Sequence, residues 1–145
     1  MAKKQFFVVT ADHSGLPLAL RLKDEGYPVT LLLIKPELAD GKPRQPKDAK
    51  ERESFEKRRE YLQKNGSGLV QRLWIDRAWG AIGRMDKNST YIIFDQIYGW
   101  QFGEKLRKLG FKVLGGTKLG YTLETERKQT LRLFASMGLD VPLQK

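Results

Sequence analysis

Residues able to bind a ligand or transfer a proton follow three short apolar runs in this chain. Residues 12–15, Asp-His-Ser-Gly, come soon after the first run, and they combine a carboxylate, the single imidazole of the chain, a hydroxyl and a glycine. Asp95 and Gln96 follow the second run, with Gly99 three residues later. The third run is followed by Gly115, Gly116, Thr117 and Lys118. Together these residues predict a site for a phosphorylated small molecule, either a ribose phosphate or a nucleotide.

The first of these loops, with Asp12, His13, Ser14 and Gly15, opens a predicted helix. Backbone N–H groups and the dipole at a helix start can hold an anion, and Ser14 and Gly15 suit a close approach of the backbone. The loop does not have the G-x-G-x-x-G spacing of a dinucleotide site. Alternatively, Asp12 or Ser14 is simply the N-cap of the helix, a role that does not exclude binding.

His13 is the only histidine, so a metal site with two histidines is excluded. An imidazole can act as an acid or base near neutral pH, but a single loop histidine is more often structural or solvated. Ser14 lacks the G-x-S-x-G context of a hydrolase nucleophile. The chain has no cysteine, which excludes thiol catalysis and cysteine-ligated zinc. We therefore predict no catalytic residue and no metal site in this chain.

Asp95 ends a predicted strand, where a carboxylate can bind a ribose hydroxyl or an amine, or can start a turn. Gly115 and Gly116 suit a phosphate contact, although the turn itself also needs flexible residues. Aromatic rings that can stack on a base or fill the core are Trp74, Trp79 and Trp100.

The elements that must position these loops alternate between strands and helices. Apolar runs at 6–9, 29–34, 91–94 and 111–114 predict buried strands, and 69–74 is either extended or helical. Helices are predicted between and after these strands. One starts at Leu16, one follows Gly99, and the others lie within 47–64, 75–85 and 122–137. This order predicts an α/β fold of three layers, Rossmann-like, with a mainly parallel sheet. Ligands of such sheets bind beyond the carboxyl ends of the strands.

Composition restricts the classes of function. The 145 residues carry 27 Lys and Arg against 17 Asp and Glu, a formal charge of +10 that attracts anions. Much of this charge lies between Lys42 and Arg59, which is either a nucleic-acid surface or a solvated linker and helix. No apolar run approaches the length of a membrane helix. We expect a cytoplasmic protein with no membrane partner.

A family resemblance rests on four motifs. The chain reads Tyr-Ile-Ile-Phe-Asp at 91–95, Gly-Phe-Lys-Val-Leu-Gly-Gly-Thr-Lys at 110–118, and Leu-Glu at 123–124 followed by Met-Gly-Leu-Asp-Val-Pro at 137–142. In order and spacing these motifs resemble phosphoribosylamine–glycine ligase, an ADP-forming carbon–nitrogen ligase of purine biosynthesis. The strand, turn and helix at 8–22 are similar to that family in layout.

The resemblance implies a pre-ATP-grasp domain at 1–121, with a charged insert at about 36–66, and a helix at 122–145 leading toward an ATP-grasp domain. It implies that Arg127 lies near the ATP-binding portion and that a full-length ligase uses ATP and Mg²⁺. The chain stops at Lys145, before the ATP-grasp residues of the family. We therefore expect that it binds a phosphorylated substrate, a ribose phosphate or a nucleotide, but does not catalyse ligation by itself. The alternative is a basic module that binds nucleic acid or a protein partner.

Overall fold

The computed structural model describes residues 3–38 and 44–141. Five parallel strands form one sheet in the order β3-β2-β1-β4-β5. The strands are β1 (Gln5–Thr10), β2 (Val29–Leu33), β3 (Gln71–Trp74), β4 (Thr90–Phe94) and β5 (Lys112–Leu114). The helices of the described residues are α1 (Leu16–Asp24), α2 (Ala49–Lys64), α3 (Ile75–Ile82), α4 (Trp100–Lys108), α5 (Lys118–Thr125) and α6 (Arg127–Ser136).

Both faces of the sheet are covered in its centre, as the uniformly apolar strands predict. Leu31 and Leu33 pack on one side with Ala19 of α1 and Leu62 of α2. Leu32 points to the opposite side because side chains alternate along a strand. There it lies in a second cluster with residues of α3 and α4, including Ile75, Ile82 and Leu106. The predicted three-layer, Rossmann-like α/β fold is therefore confirmed.

The register aligns the three strands that carry the predicted site loops. Val8 of β1 pairs with Ile93 of β4, and Ile92 pairs with Val113 of β5. Since these strands are parallel neighbours, the loops that follow them leave from the same edge of the sheet.

Two segments differ from their sequence-based description. The ambiguous segment 69–74 contains a strand, because Thr30 to Leu33 of β2 offer it a ladder. The single helix predicted for 122–137 is wrong: the chain breaks at Glu126 and forms α5 and α6. The hydroxyl oxygen of Thr130 lies 3.3 Å from the carbonyl oxygen of Thr122 and 3.0 Å from that of Leu123, both in the last turn of α5, so it can donate to either.

The spacing of Phe102, Leu106 and Leu109 predicts that all three form the inner face of α4, and this prediction is partly wrong. Leu106 is buried and Phe102 packs against the same cluster, but the side chain of Leu109 is 49% exposed. Leu109 is the C-cap of α4, and the chain then reverses at Gly110, whose φ is 88°. Phe111 occupies the core position instead, since it follows the reversal.

The charged segment supplies a crossover helix. Helix α2 connects β2 to β3 and begins where the Asp48 side chain accepts a hydrogen bond from the Glu51 N–H at 2.8 Å. Its thin inner face consists mainly of Leu62, because Phe55 is half-buried and Tyr61 is 52% exposed. Lys42, where the basic segment starts, lies outside the described residues. Across the described ranges, no helix is both long enough and apolar enough to cross a membrane.

Candidate functional site

The crevice, which we define by the loops at 10–16 and 95–99, lies between β1 and β4 at one edge of the sheet. From β1 the chain leads to β2 on one side, and from β4 it leads to β5 on the other. The two connections therefore diverge, and this is the position where ligands bind in open parallel sheets. The loop at 115–118 follows β5, the next strand along.

Ser14 joins the two loops of the crevice. Its hydroxyl oxygen lies 2.7 Å from Asp12 Oδ1 and 2.7 Å from Asp95 Oδ2. The Ser14 N–H also donates to Asp12 Oδ1 at 3.0 Å, which closes a local turn. A serine hydroxyl has one hydrogen, so it can donate to only one of the two carboxylates at a time. The other contact is favourable when Asp95 carries a proton and donates it to Ser14.

The environments of the two carboxyls move their pKa values in opposite directions. The hydrogen bond from Ser14 is the main cause that lowers the pKa of Asp12. Burial raises the pKa of Asp95, although hydrogen bonds from Thr10 and Ser14 oppose that rise. The charge of Asp12 adds to the rise. The crevice thus pairs an acid that stays ionised with a neighbour that holds its proton more tightly.

Gly15 allows helix α1 to meet the sheet at close range. A Cβ at this position would lie 2.7 Å from Val8 Cγ1 and 2.8 Å from Asp95 Oδ2. Neither Asp12 nor Ser14 caps α1, because Gly15 itself occupies the N-cap position. The Leu16 N–H donates to the His13 carbonyl at 2.9 Å, and Pro17 has no N–H. With two carboxyls beside it, this helix start favours hydroxyl or amine groups of a ligand over a phosphate.

The side chain of His13 is buried against helix α2. Its φ of 71° is left-handed, its side chain is 6% exposed, and its ring meets Tyr61 edge-on with centroids 5.5 Å apart. Burial is the main cause that lowers the pKa of His13, and the charge of Arg72 adds to it. Ser14 bonds to carboxyls and not to His13, so no nucleophile–base pair forms here.

Buried polar atoms without a hydrogen-bond partner mark the crevice. Four of these atoms belong to the loop after β4 and the first turn of α4: Asp95 Oδ1, Gln96 Nε2, Trp100 Nε1 and Gln101 Oε1. The other two are the ring nitrogens of His13, which lie near the backbone of Tyr61 and Leu62 in α2. The described part of the chain contains only these six buried polar side-chain atoms without a partner. All six belong to residues of the two loops or of the first turn of α4. Native proteins satisfy the great majority of buried polar atoms, so a concentration of exceptions indicates a place where a ligand or water completes the bonding.

Sequence reasoning missed part of this group. Gln101 was not among the predicted site residues, and Trp100 was considered only as a stacking or core ring. Both belong to the first turn of α4, immediately after Gly99, which has a φ of 74°. A Cβ on Gly99 would lie 2.7 Å from Ile34 Cδ1, so the glycine is required for packing. The sequence feature that could have indicated Trp100 and Gln101 is Gly99, because the turn that this glycine permits brings the next residues to the strand ends.

The third predicted loop is held by the protein itself. Gly115 and Gly116 have φ values of 71° and 56°, and they rest against Phe94. Arg107 donates to the carbonyls of both glycines, at 2.9 Å for Gly116. Thr117 caps α5 by accepting from the Gly120 N–H at 3.0 Å.

Two of the predicted site residues are cations whose side chains make no hydrogen bond or ion pair with any described residue. Lys118 is exposed at the start of α5 beside the third loop. Arg127 is exposed and begins α6, a helix whose main contacts are with α5. The geometry therefore leaves Lys118 available to a ligand near the sheet edge and leaves Arg127 outside the hydrogen-bonded group.

Comparison of the chain with protein-family models, with curated proteins and with solved structures yields no match. Residues 3–38 and 44–141 also contain no group of three His, Asp or Glu side chains arranged to hold a metal ion. Function must therefore be inferred from the geometry of the site.

Proposed function

We propose that this chain is a substrate-binding domain that holds a ribose phosphate or a related phosphorylated small molecule in the crevice between β1 and β4. One observation carries the proposal: four of the six unpartnered buried polar atoms of the described residues belong to the loop after β4 and the first turn of α4, beside the position where parallel α/β sheets bind ligands. The formal charge of +10 supports an anionic ligand.

The groups in the crevice match a sugar better than a bare anion. Asp95 Oδ1 and Gln101 Oε1 accept hydrogen bonds, and Gln96 Nε2 and Trp100 Nε1 donate them. Ribose hydroxyls can donate and accept, so one sugar can satisfy both kinds. An amine in place of a hydroxyl would suit the ionised Asp12 equally well.

The phosphate of such a ligand must lie away from Asp12 and Asp95, since like charges repel. The loop after β5 offers a better place, because exposed Lys118 begins α5 there. The ligand would then span from the carboxyls at β1 and β4 to the cation beyond β5.

The resemblance to phosphoribosylamine–glycine ligase extends the proposal to a ligase-like protein. In that case an ATP-grasp domain would supply the ATP and Mg²⁺ chemistry, and this chain would hold and orient the phosphorylated amine. The described residues contain no group of three or more metal-ligating side chains, and the ATP-grasp domain would bind the Mg²⁺. We expect the isolated chain to bind substrate without joining it to glycine.

Calorimetric titration with ribose 5-phosphate, ribose, inorganic phosphate, ATP and glycine tests the proposal. Ribose 5-phosphate should bind, with ribose and phosphate alone weaker. Asp95→Asn removes a carboxylate acceptor from the crevice and should weaken binding about tenfold, as expected for one hydrogen bond to a charged group.

Asp86→Asn is the matched control. Asp86 Oδ2 accepts from the Ser89 hydroxyl at 2.7 Å, the same distance as in the crevice, but just before β4 begins and therefore at the opposite end of that strand. This variant should bind as tightly as the unaltered chain. Absence of binding by every phosphorylated ligand, or equal weakening by both variants, would refute the crevice as the site.

A further inference from the structure

A second cavity lies beyond β2 and β3, on the far side of β1 from the crevice. We call it the arginine groove, and its volume is about 420 Å³, within the range of small-molecule pockets. It is bounded by the end of α2, the segment leading into β3 and the first turn of α3. Its main lining residues are Leu33, Gln63, Val70, Arg72, Trp74 and Arg77.

Arg72 carries a fixed positive charge in this groove. Its guanidinium donates to three backbone carbonyls at the end of α2, at 3.2 Å for Leu62, at 2.8 Å for Asn65, and also to Gln63. No carboxylate of the described residues forms an ion pair with it. A guanidinium has five N–H donors, so two remain after these three bonds. Because the carbonyls already hold the side chain, binding an anion would cost little further side-chain entropy.

Arg77 places a second guanidinium at the other wall of the groove. It lies in the first turn of α3, is exposed, and forms no hydrogen bond or ion pair through its side chain with any described residue. The nearest acid in sequence, Asp76, is paired with Lys35 at 2.6 Å. Two arginines without acidic partners therefore face one cavity, and planar guanidinium groups suit phosphate oxygens.

Trp74 adds an aromatic surface to the same groove. It ends β3 and packs, half-buried, against the cluster formed by Val8, Leu31 and Leu62. An indole held in this way and lining an open groove can stack on a planar base with little loss of freedom. Leu33 and Val70 supply apolar walls beside it.

We propose that the arginine groove binds a nucleoside monophosphate, with the base against Trp74 and the phosphate between Arg72 and Arg77. The groove offers one indole and two guanidinium groups, which suffice for one base and one phosphate and thus favour a mononucleotide over a nucleic acid strand. This site is separate from the crevice, since it lies at β2 and β3 and uses none of the same residues.

Titration of the full chain with AMP, adenosine, inorganic phosphate and a single-stranded oligonucleotide tests this site, with tryptophan fluorescence as a second signal. AMP should bind at least about tenfold more tightly than adenosine or phosphate, because only AMP engages both the ring and the cations. Arg77→Gln should weaken AMP binding by about the same factor. Trp74→Phe should retain binding, whereas Trp74→Leu should lose it.

Arg84→Gln is the control, since Arg84 is also exposed, follows α3 in the sequence, and makes no contact through its guanidinium with a described residue. It should leave AMP binding unchanged. Asp95→Asn, which tests the crevice, should weaken ribose 5-phosphate and leave the Arg77-dependent part of AMP binding unchanged, so the two sites can fail separately. AMP binding that resists Arg77→Gln, equal loss in Arg84→Gln, or binding of the oligonucleotide alone would overturn the proposal.

Discussion

At the scale of single residues, the feature that distinguishes this chain is a serine hydroxyl shared by two carboxyls. Asp12 and Asp95 both lie 2.7 Å from Ser14 Oγ, yet burial acts mainly on Asp95. The pKa of Asp95 is raised and the pKa of Asp12 is lowered, so their contributions to stability have opposite signs. A costly buried carboxyl in a crevice is typical of a group kept for binding and not for stability.

Asp95→Asn should therefore make the protein more stable at neutral pH. A carboxyl with a raised pKa in the folded state binds its proton more tightly there than in the unfolded chain. Stability from this group is thus lost as pH rises from 3.8 through the folded-state pKa. Removing the charge should therefore increase the free energy of unfolding at pH 7, and the advantage should shrink toward pH 4 in denaturant titrations.

Asp86→Asn should show the opposite sign. A hydrogen bond from Ser89 is the main cause that lowers the pKa of Asp86, so its contribution is present above pH 3.8 and lost in acid. At pH 7 this control should be less stable than the unaltered chain. If Asp95→Asn and Asp86→Asn change stability in the same direction at pH 7, the prediction that the pKa of Asp95 is raised and the pKa of Asp86 is lowered is contradicted.

His13 should make the fold sensitive to mild acid. Its pKa is lowered by burial, so between that value and 6.5 the unfolded chain binds more protons than the folded one. Stability should fall as pH drops below 6.5, at up to about 1.4 kcal/mol per pH unit. His13→Asn should abolish this loss, because asparagine tolerates the left-handed φ of 71° and carries no proton.

Because the chain has one histidine, NMR titration of its imidazole reads this pKa directly. The charge of Arg72 adds to the lowering of the His13 pKa, so removing that charge should raise the pKa and supplies a further check. A midpoint at or above 6.5 in the folded protein would contradict the buried, neutral ring.

At the scale of elements, helix α4 shows how a chain reversal overrides periodicity. Leu106 and Leu109 are three residues apart and should share a helical face. However, α4 ends at Lys108, so Leu109 leaves the face that Leu106 buries. The next core position is filled from beyond the reversal by Phe111.

A pair of matched variants measures this difference. Leu106→Ala should destabilise the protein by about 2–5 kcal/mol, since it opens a cavity beside a side chain that is 1% exposed. Leu109→Ala should change the free energy of unfolding by about 0.5 kcal/mol or less, because its side chain is 49% exposed. Equal costs in urea titrations would show that Leu109 is buried in solution.

At the scale of the whole molecule, acidic partners offset part of the positive charge of the basic segment. Helix α2 contains six basic and four acidic side chains. Lys57 pairs with Glu53 at 2.6 Å, Lys64 pairs with Glu60 at 2.5 Å, and Arg59 pairs with Glu37. Nucleic-acid binding by this basic segment stays a prediction, and a steep loss of affinity with salt would be its signature.

The sequence alone was sufficient for the fold class and for the edge of the sheet where binding is expected. Apolar runs such as Leu31–Leu33 can be buried on both faces only inside a layered sheet, and the polar residues after them mark the strand ends. Tertiary structure decided the chemistry, because the contact between Ser14 and Asp95 joins residues 81 positions apart. The arginine groove likewise depends on how α2 ends beside β3, since no local pattern specifies which carbonyls Arg72 will meet.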